Sequence, residues 1–106
     1  MLNMAFNLFV TDAAQSDLAD AVEYIAHRLG NPFAASKMLD QIEECYSQLK
    51  QFPMLYEQCR DSRLKAMGYR RVVIGNFILV YRVAEADQAV YILRFFYGGR
   101  DYEKLI

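Results

Sequence analysis

The chain opens with a short alternation of apolar and polar positions and then changes to helical spacing. Phe6, Leu8 and Val10 alternate with other side chains, which predicts a strand over residues 5–10. Thr11 follows as a candidate N-cap, and the apolar residues after it recur at intervals of three and four. This spacing predicts two amphipathic helices, with faces formed by Leu18, Val22, Ile25 and Leu29 and by Met38, Ile42, Cys45 and Leu49.

The boundary between the two helices is marked by three residues in a row. Gly30 is typical of a position just past a helix C-terminus, Asn31 is a good cap, and Pro32 suits the first position of the next helix. Helices joined by so short a connection are antiparallel neighbours. The pattern therefore predicts a helical hairpin whose second helix ends at residues 52–53.

The second half of the chain changes to strand-like composition after an irregular crossover at residues 54–68, within which residues 63–67 are a candidate helical turn. Val, Ile, Tyr and Phe dominate residues 69–74, 77–83 and 90–97, which predicts three strands. Gly75 and Asn76 form a two-residue hairpin signal between the first two. The predicted order is β-α-α-β-β-β. We expect an α+β fold in which residues 1–106 form one domain, with the helical hairpin packed on an antiparallel sheet.

The predicted sheet is apolar on both faces. Residues 77–81 and 91–93 are continuous apolar runs, whereas a sheet with one wet face alternates apolar and polar positions. A helical hairpin of this length covers one face only. We therefore expect the second face to form a groove for a partner, in preference to a face covered by the C-terminal tail or by a homodimer.

Charge is distributed unevenly, although the net charge of the chain is −1. Residues 1–53 carry three bases and seven acids, whereas residues 54–106 carry nine bases and six acids. The excess of bases is greatest between Arg60 and Arg82, which indicates either an anionic partner or salt bridges to the acidic helices.

Several function classes are excluded by composition. The chain has one histidine, two cysteines and no phosphate-binding glycine motif, so we expect no metal and no cofactor. No apolar run approaches the length of a membrane span, and the N-terminal residues do not resemble a secretory signal. We expect a cytoplasmic protein without a membrane partner.

Three stretches in this order resemble the RelE/ParE superfamily of bacterial type II toxins. They are DLADAVEYIA at residues 17–26, GYRR through GNFILVYRV at residues 68–83, and VYILRFFYGGRDY at residues 90–102. The resemblance implies the β-α-α-β-β-β fold and a co-expressed antitoxin that silences the toxin. It also implies one of two mechanisms, because RelE-like members cleave mRNA on the ribosome whereas ParE-like members bind DNA gyrase.

Two departures from the RelE-like pattern favour the ParE-like branch. Residues 72–74 are Val-Val-Ile where such nucleases carry a phosphate-gripping arginine, and Gly98 and Gly99 stand where they carry basic residues. RNA cleavage also needs a general base, which arginine cannot supply and which is missing here unless Glu57, Glu85 or Glu103 reaches the site. We therefore expect a growth-inhibiting, plasmid-stabilising gyrase inhibitor. The alternatives are an mRNA endoribonuclease using Arg71, Arg82, Arg100 and Tyr102, or a relic of the fold that retains antitoxin binding alone.

The residues expected to bind the antitoxin or the target lie in the basic and aromatic second half. Each has a structural alternative, since strand arginines often pair with carboxylates and sheet tyrosines are often core residues. The partners are the antitoxin and either gyrase or the ribosome with its mRNA, within a homodimer or a toxin–antitoxin heterotetramer. The candidate residues are Arg70, Arg71, Tyr81, Arg82, Arg94, Phe96, Arg100 and Tyr102.

Overall fold

A computed structural model describes residues 5–98 and 102–106 of the chain. Strand β1 is followed by a helical hairpin, a short helix, three consecutive strands and a last helical turn. The helices are α1 (Asp12–Glu23), α2 (Pro32–Gln51), α3 (Ser62–Ala66) and α4 (Tyr102–Leu105), and α1 continues into a π-helical turn at Tyr24–Arg28. The strands are β1 (Asn7–Val10), β2 (Tyr69–Ile74), β3 (Phe77–Ala84) and β4 (Ala89–Tyr97).

The four strands form one sheet in the order β1-β4-β3-β2. Strands β2, β3 and β4 form the predicted antiparallel meander, and Ile74 pairs with Phe77 across the two-residue turn. Strand β1 pairs with β4 in parallel, with Val10 opposite Ile92. The sheet is therefore mixed at one edge, because the helical hairpin returns the chain to the end from which β1 started.

The helical hairpin begins at the predicted caps. The Thr11 hydroxyl accepts a hydrogen bond from the Ala14 amide at 3.1 Å, and the Asn31 side chain accepts one from the Ala34 amide at 3.0 Å. Each cap satisfies an amide that the first helical turn leaves without a partner. The expected helical hairpin is confirmed, with Pro32 at the first position of α2.

The core between the hairpin and the sheet contains most of the predicted helix faces. The predicted face of α2 is buried in one cluster with side chains of the sheet. Its members are Met38, Ile42, Cys45 and Leu49 from α2 and Val72, Leu79 and Ile92 from the sheet. On the first helix Ile25 is buried and Leu18 and Val22 pack partly buried beside it. Leu29 was expected in this stripe, but 53% of it is exposed. The π-helical turn adds one residue just before Leu29 and so rotates it out of the stripe.

A second, smaller core lies on the opposite face of the sheet. Leu64 of α3 and Tyr102 of α4 pack there against Val80 and Phe96, with Cys59 beside them. The Arg63 guanidinium donates hydrogen bonds to the backbone oxygens of Glu103 and Ile106 at 2.9 and 3.0 Å, which ties α4 to α3. The expectation of an open partner groove on this face is therefore wrong where α3 and α4 lie, because the chain itself covers those apolar side chains.

Candidate partner-binding groove

A continuous groove runs between the helical hairpin and the sheet, at the end where β2 turns into β3. We call it the interlayer groove. Its first stretch, about 450 Å³ between α1 and β4, is lined by Asp17, Asp20, Ala21, Tyr24, Phe95 and Tyr97, together with Phe77. Its second, about 240 Å³, lies between the hairpin turn and the β2–β3 turn. The third, about 280 Å³, lies between α2 and β2.

Shared side chains join the three stretches into one surface. Phe77 and Tyr97 line both the first and the second stretch, and Ile74 and Gly75 line both the second and the third. Phe77 and Tyr97 contact each other with ring centroids 4.8 Å apart, and Tyr24 approaches Tyr97 at 5.7 Å. The middle of the groove is therefore walled by aromatic rings, which bind apolar side chains at little cost in conformational entropy.

Both edges of the sheet border this groove. Strand β1 reaches only as far as Ile92, and beyond it the Leu93 carbonyl and the Phe95 amide at the outer edge of β4 are bonded by the side chains of Thr11 and Asp17. At the other edge the extended segment 57–59 bonds to β2 through the Arg71 amide and the Tyr69 carbonyl. Among the described residues, no segment continues that pairing alongside Val73. A strand edge beside an apolar groove suits an extended peptide that adds to the sheet and places alternate side chains in the groove.

The charge of the interlayer groove is acidic at both ends. Asp17 and Asp20 line its first stretch, where Asp17 is paired with Arg94 and Asp20 supplies the remaining negative charge, and Glu44 lines its third. The sequence predicted a partner groove elsewhere, on the sheet face that the helical hairpin does not cover, and an anionic partner for the basic half of the chain. The interlayer groove lies on the hairpin side and has an aromatic middle and carboxylates at its ends, which matches a segment with apolar anchors and basic flanking residues.

Three of the predicted binding residues are buried and cannot contact a partner directly in this conformation. Tyr81 faces the helical hairpin and donates a hydrogen bond to the Pro53 carbonyl at 2.8 Å. Phe96 and Tyr102 belong to the second core. Burial raises the pKa of both Tyr81 and Tyr102 to about 12, so both phenols stay protonated at neutral pH.

Three of the predicted arginines are held by partners within the chain. Arg70 donates to the Tyr56 carbonyl at 2.7 Å, and Arg71 bonds to the Glu57 carboxylate at 3.0 Å. Arg94 forms a two-bond ion pair with Asp17 of α1, and that hydrogen bond raises the pKa of the Arg94 guanidinium above its usual value. Arg94 therefore follows the structural alternative given for strand arginines, which is pairing with a carboxylate. Arg100 lies outside the described residues.

Arg82 has a different environment on the second face. Its guanidinium lies 5.2 Å from the centre of the Tyr91 ring, and Tyr91 stacks on Phe9 with centroids 5.4 Å apart. The stack leaves Phe9 49% exposed. Neither Phe9 nor Tyr91 was among the predicted binding residues, although alternation placed Phe9 opposite Leu8 and Val10. Arg82 thus has an aromatic partner of its own. Of the other cleavage candidates that the structure describes, Tyr102 is buried and Arg71 is paired with Glu57.

The buried thiols are poor nucleophiles. Burial raises the pKa of Cys45 to about 11, and burial also raises the pKa of Cys59, whose thiol lies beside the Tyr102 hydroxyl. Both cysteines are free. Within the described residues no group of three His, Cys, Asp or Glu side chains is placed to hold a metal ion.

The fold matches three solved toxin structures. The structure overlaps a chain of the chromosomal ParDE toxin–antitoxin system of P. aeruginosa with a TM-score of 0.67 and 26% identity, covering 92% of this chain and 99% of that one. It overlaps the RelBE2 toxin–antitoxin complex of Mycobacterium tuberculosis with a TM-score of 0.62 and 19% identity, covering 88% and 98%. It overlaps the isolated E. coli RelE toxin with a TM-score of 0.56 and 12% identity, covering 95% of each chain. No curated protein matches the sequence.

The helical hairpin on a four-stranded sheet is thus the toxin fold of the RelE/ParE superfamily. The family model for the ParE toxin of the parDE type II toxin–antitoxin system matches residues 8–102. The chain belongs to the ParE toxin family. It is a ParE-type toxin of a type II toxin–antitoxin system, and the solved complexes of its relatives imply a cognate antitoxin as its partner.

Proposed function

We propose that this toxin inhibits growth by binding DNA gyrase in the cytoplasm and does not cleave RNA. The observation that carries the proposal is the state of the predicted cleavage residues. Arg71 is neutralised by Glu57, Tyr102 is buried in the second core, and Arg82 is stacked on Tyr91. A phosphate-cleaving site needs unpaired cations beside an accessible acid and base. No described helix is long and apolar enough to cross a membrane.

One contact keeps the nuclease as a second candidate. Glu57 is the carboxylate that bonds Arg71, and Arg71 lies close enough to Tyr102 to lower the pKa of its phenol against the larger effect of burial. A carboxylate, a guanidinium and a phenol are therefore neighbours. If α4 moved off the sheet, this group would become accessible, and Glu57, one of the three glutamates considered from the sequence, would be its general base.

The purified toxin is expected to block supercoiling by purified gyrase, and its induction in cells is expected to leave transcripts intact. Inhibition of gyrase is measured on a plasmid supercoiling gel. Transcript cleavage is measured by primer extension on several abundant mRNAs within minutes of induction. Wild-type protein is compared with Arg71→Ala and Glu57→Gln. Cuts at codon positions that disappear in both variants, together with unimpaired supercoiling, would overturn the gyrase proposal and establish the nuclease.

We also propose that the cognate antitoxin binds along the interlayer groove. Its apolar anchors would contact the aromatic middle, and its extended part would pair with a strand edge. Ala34→Arg places a long side chain in the second stretch of the groove. This variant is expected to bind the antitoxin at least about tenfold more weakly, because a buried unpaired guanidinium and a clash both oppose binding.

The matched control is Ser36→Arg, two residues further along α2, exposed and outside the groove. It adds the same charge to the same helix and is expected to bind as the wild type does. The probe is the protein encoded by the small reading frame adjacent to that of the toxin, titrated against each variant by calorimetry. Equal loss of affinity in both variants would mean that the antitoxin uses another surface.

A further inference from the structure

The turn end of the helical hairpin exposes two large apolar side chains. Phe33, in the first turn of α2, is 80% exposed, and Leu29, before the turn, is 53% exposed. A phenylalanine this exposed makes almost no contact with its own chain. Side chains of this kind, held on a rigid element, are the usual anchors of protein interfaces.

The same end carries cations that are unusual for the helical layer. Residues 1–53 contain only three bases, and two of them, Arg28 and Lys37, flank these apolar side chains. Lys37 follows Phe33 by one helical turn, so the two share a face of α2. Within the described part of the chain neither Arg28 nor Lys37 forms an ion pair, and both are exposed. We call Arg28, Leu29, Phe33 and Lys37 the tip surface.

The backbone holds the tip surface in a fixed shape. Pro32 and the Asn31 cap fix the start of α2, immediately before Phe33. On the other side, the Leu29 amide bonds to the Tyr24 carbonyl and closes the π-helical turn. An anchor on a capped helix start loses little conformational entropy on binding. This helps to explain how an exposed phenylalanine can serve binding without contributing to the core.

The tip surface adjoins the interlayer groove without lying inside it. Leu29 lines the second stretch of the groove, whereas Arg28, Phe33 and Lys37 do not line any stretch. The groove has acidic ends, and the tip is basic. The groove therefore suits a basic partner and the tip surface suits an acidic one. The two surfaces share only Leu29.

We propose that the tip surface docks on an acidic patch of DNA gyrase, with Phe33 inserted into an apolar recess and Arg28 and Lys37 facing carboxylates. This inference rests on the proposed function and names the part of the toxin that serves it. It also accounts for neutralisation, because an antitoxin segment in the interlayer groove would reach Leu29 and obstruct the approach of gyrase.

The test compares Phe33→Ser and Lys37→Glu with two control variants on the same helix. Leu39→Ser removes a less exposed apolar residue, and Lys50→Glu reverses a charge at the far end of α2. Each purified variant is assayed for inhibition of gyrase supercoiling and for affinity to the antitoxin. We expect each tip variant to require at least about tenfold more protein for half-inhibition, with antitoxin affinity changed less than about twofold. Both controls should inhibit as the wild type does.

Three outcomes are distinguishable. A selective loss of gyrase inhibition in the tip variants supports the tip surface. Tip variants that inhibit as strongly as the wild type would overturn it and leave the gyrase function standing. A wild-type toxin that binds its antitoxin and leaves supercoiling unaffected would overturn both proposals. Thermal unfolding of each variant checks folding, and the preserved antitoxin affinity confirms it independently.

Discussion

Replacing Ile42 by Ala is expected to lower the free energy of unfolding by roughly 2–5 kcal/mol, a large part of the 5–15 kcal/mol typical of a domain. Ile42 lies at the middle of α2 and is 1% exposed, and it packs in the main core with the sheet residues Leu79 and Ile92. The truncation removes apolar contacts and leaves a cavity that close-packed neighbours cannot fill.

Leu39→Ala is the matched control for that effect. Leu39 belongs to the same helix and loses the same kind of side chain, but it is 36% exposed. Its cost is expected to stay below about 1 kcal/mol, because much of the side chain is already in water. Urea unfolding followed by circular dichroism measures both values. Similar costs at the two positions would mean that the buried face of α2 is assigned wrongly.

That face could be predicted because a helix repeats its burial every three or four residues. Met38 and Ile42, with Cys45 and Leu49 one and two turns later, follow the spacing closely, and all four are buried. The turn Gly75–Asn76 was equally readable, because two residues with this composition close a hairpin. Leu29 was misassigned because the π-helical turn before it depends on how the hairpin closes, and periodicity carries no signal for that.

The covered second face illustrates what local patterns miss. Its apolar character was visible in the sequence, but its cover comes from two very short helices, α3 and α4. The helical turn predicted around residues 63–67 is present as α3, but its short sequence gave no indication that Leu64 would pack on Val80, sixteen positions away. Tyr102 lies only six positions after Phe96, and the glycines between them indicated an exposed tail. The prediction of binding residues on that face therefore placed Phe96 and Tyr102 at a surface when they belong to a core.

The interlayer groove was missed for a related reason. Its lining residues come from α1, α2 and three strands, so no continuous stretch of sequence contains them. Tyr24 and Tyr97 offered the available signal, since both are tyrosines at the margin of apolar runs, but they are 73 positions apart (97 less 24). Only the strand order places them together, with ring centroids 5.7 Å apart.

Replacing Asp17 by Ala is expected to destabilise the fold by about 2–3 kcal/mol. The Asp17 carboxylate accepts hydrogen bonds from Arg94 Nε at 2.6 Å, from Arg94 Nη2 at 3.1 Å and from the Phe95 amide at 3.0 Å. Its side chain is 19% exposed and that of Arg94 is 33% exposed, so water can replace these bonds only in part. The variant leaves a half-buried guanidinium and a strand-edge amide without their acceptor.

A double-mutant cycle separates the ion pair from the amide bond. Arg94→Ala alone should cost less, about 1–2 kcal/mol, because Asp17 keeps its bond to the Phe95 amide and is solvated on its open side. The double variant should cost clearly less than the sum of the two single costs. Strictly additive costs, measured by urea unfolding, would show that the pair contributes nothing beyond two separate side chains.

The same carboxylate also protects the open edge of β4. Strand β1 ends opposite Ile92. Just beyond that point, the Asp17 carboxylate accepts a hydrogen bond from the outward-pointing Phe95 amide. Charged groups at a strand edge prevent pairing with other chains. Asp17→Ala is therefore expected to self-associate in a concentration-dependent way, whereas Arg94→Ala, which leaves the amide occupied, should stay at the wild-type association state. Sedimentation velocity over a hundredfold concentration range distinguishes the two variants. If both behaved as the wild type does, the carboxylate would stabilise the fold without guarding the edge, and another feature would keep β4 from pairing.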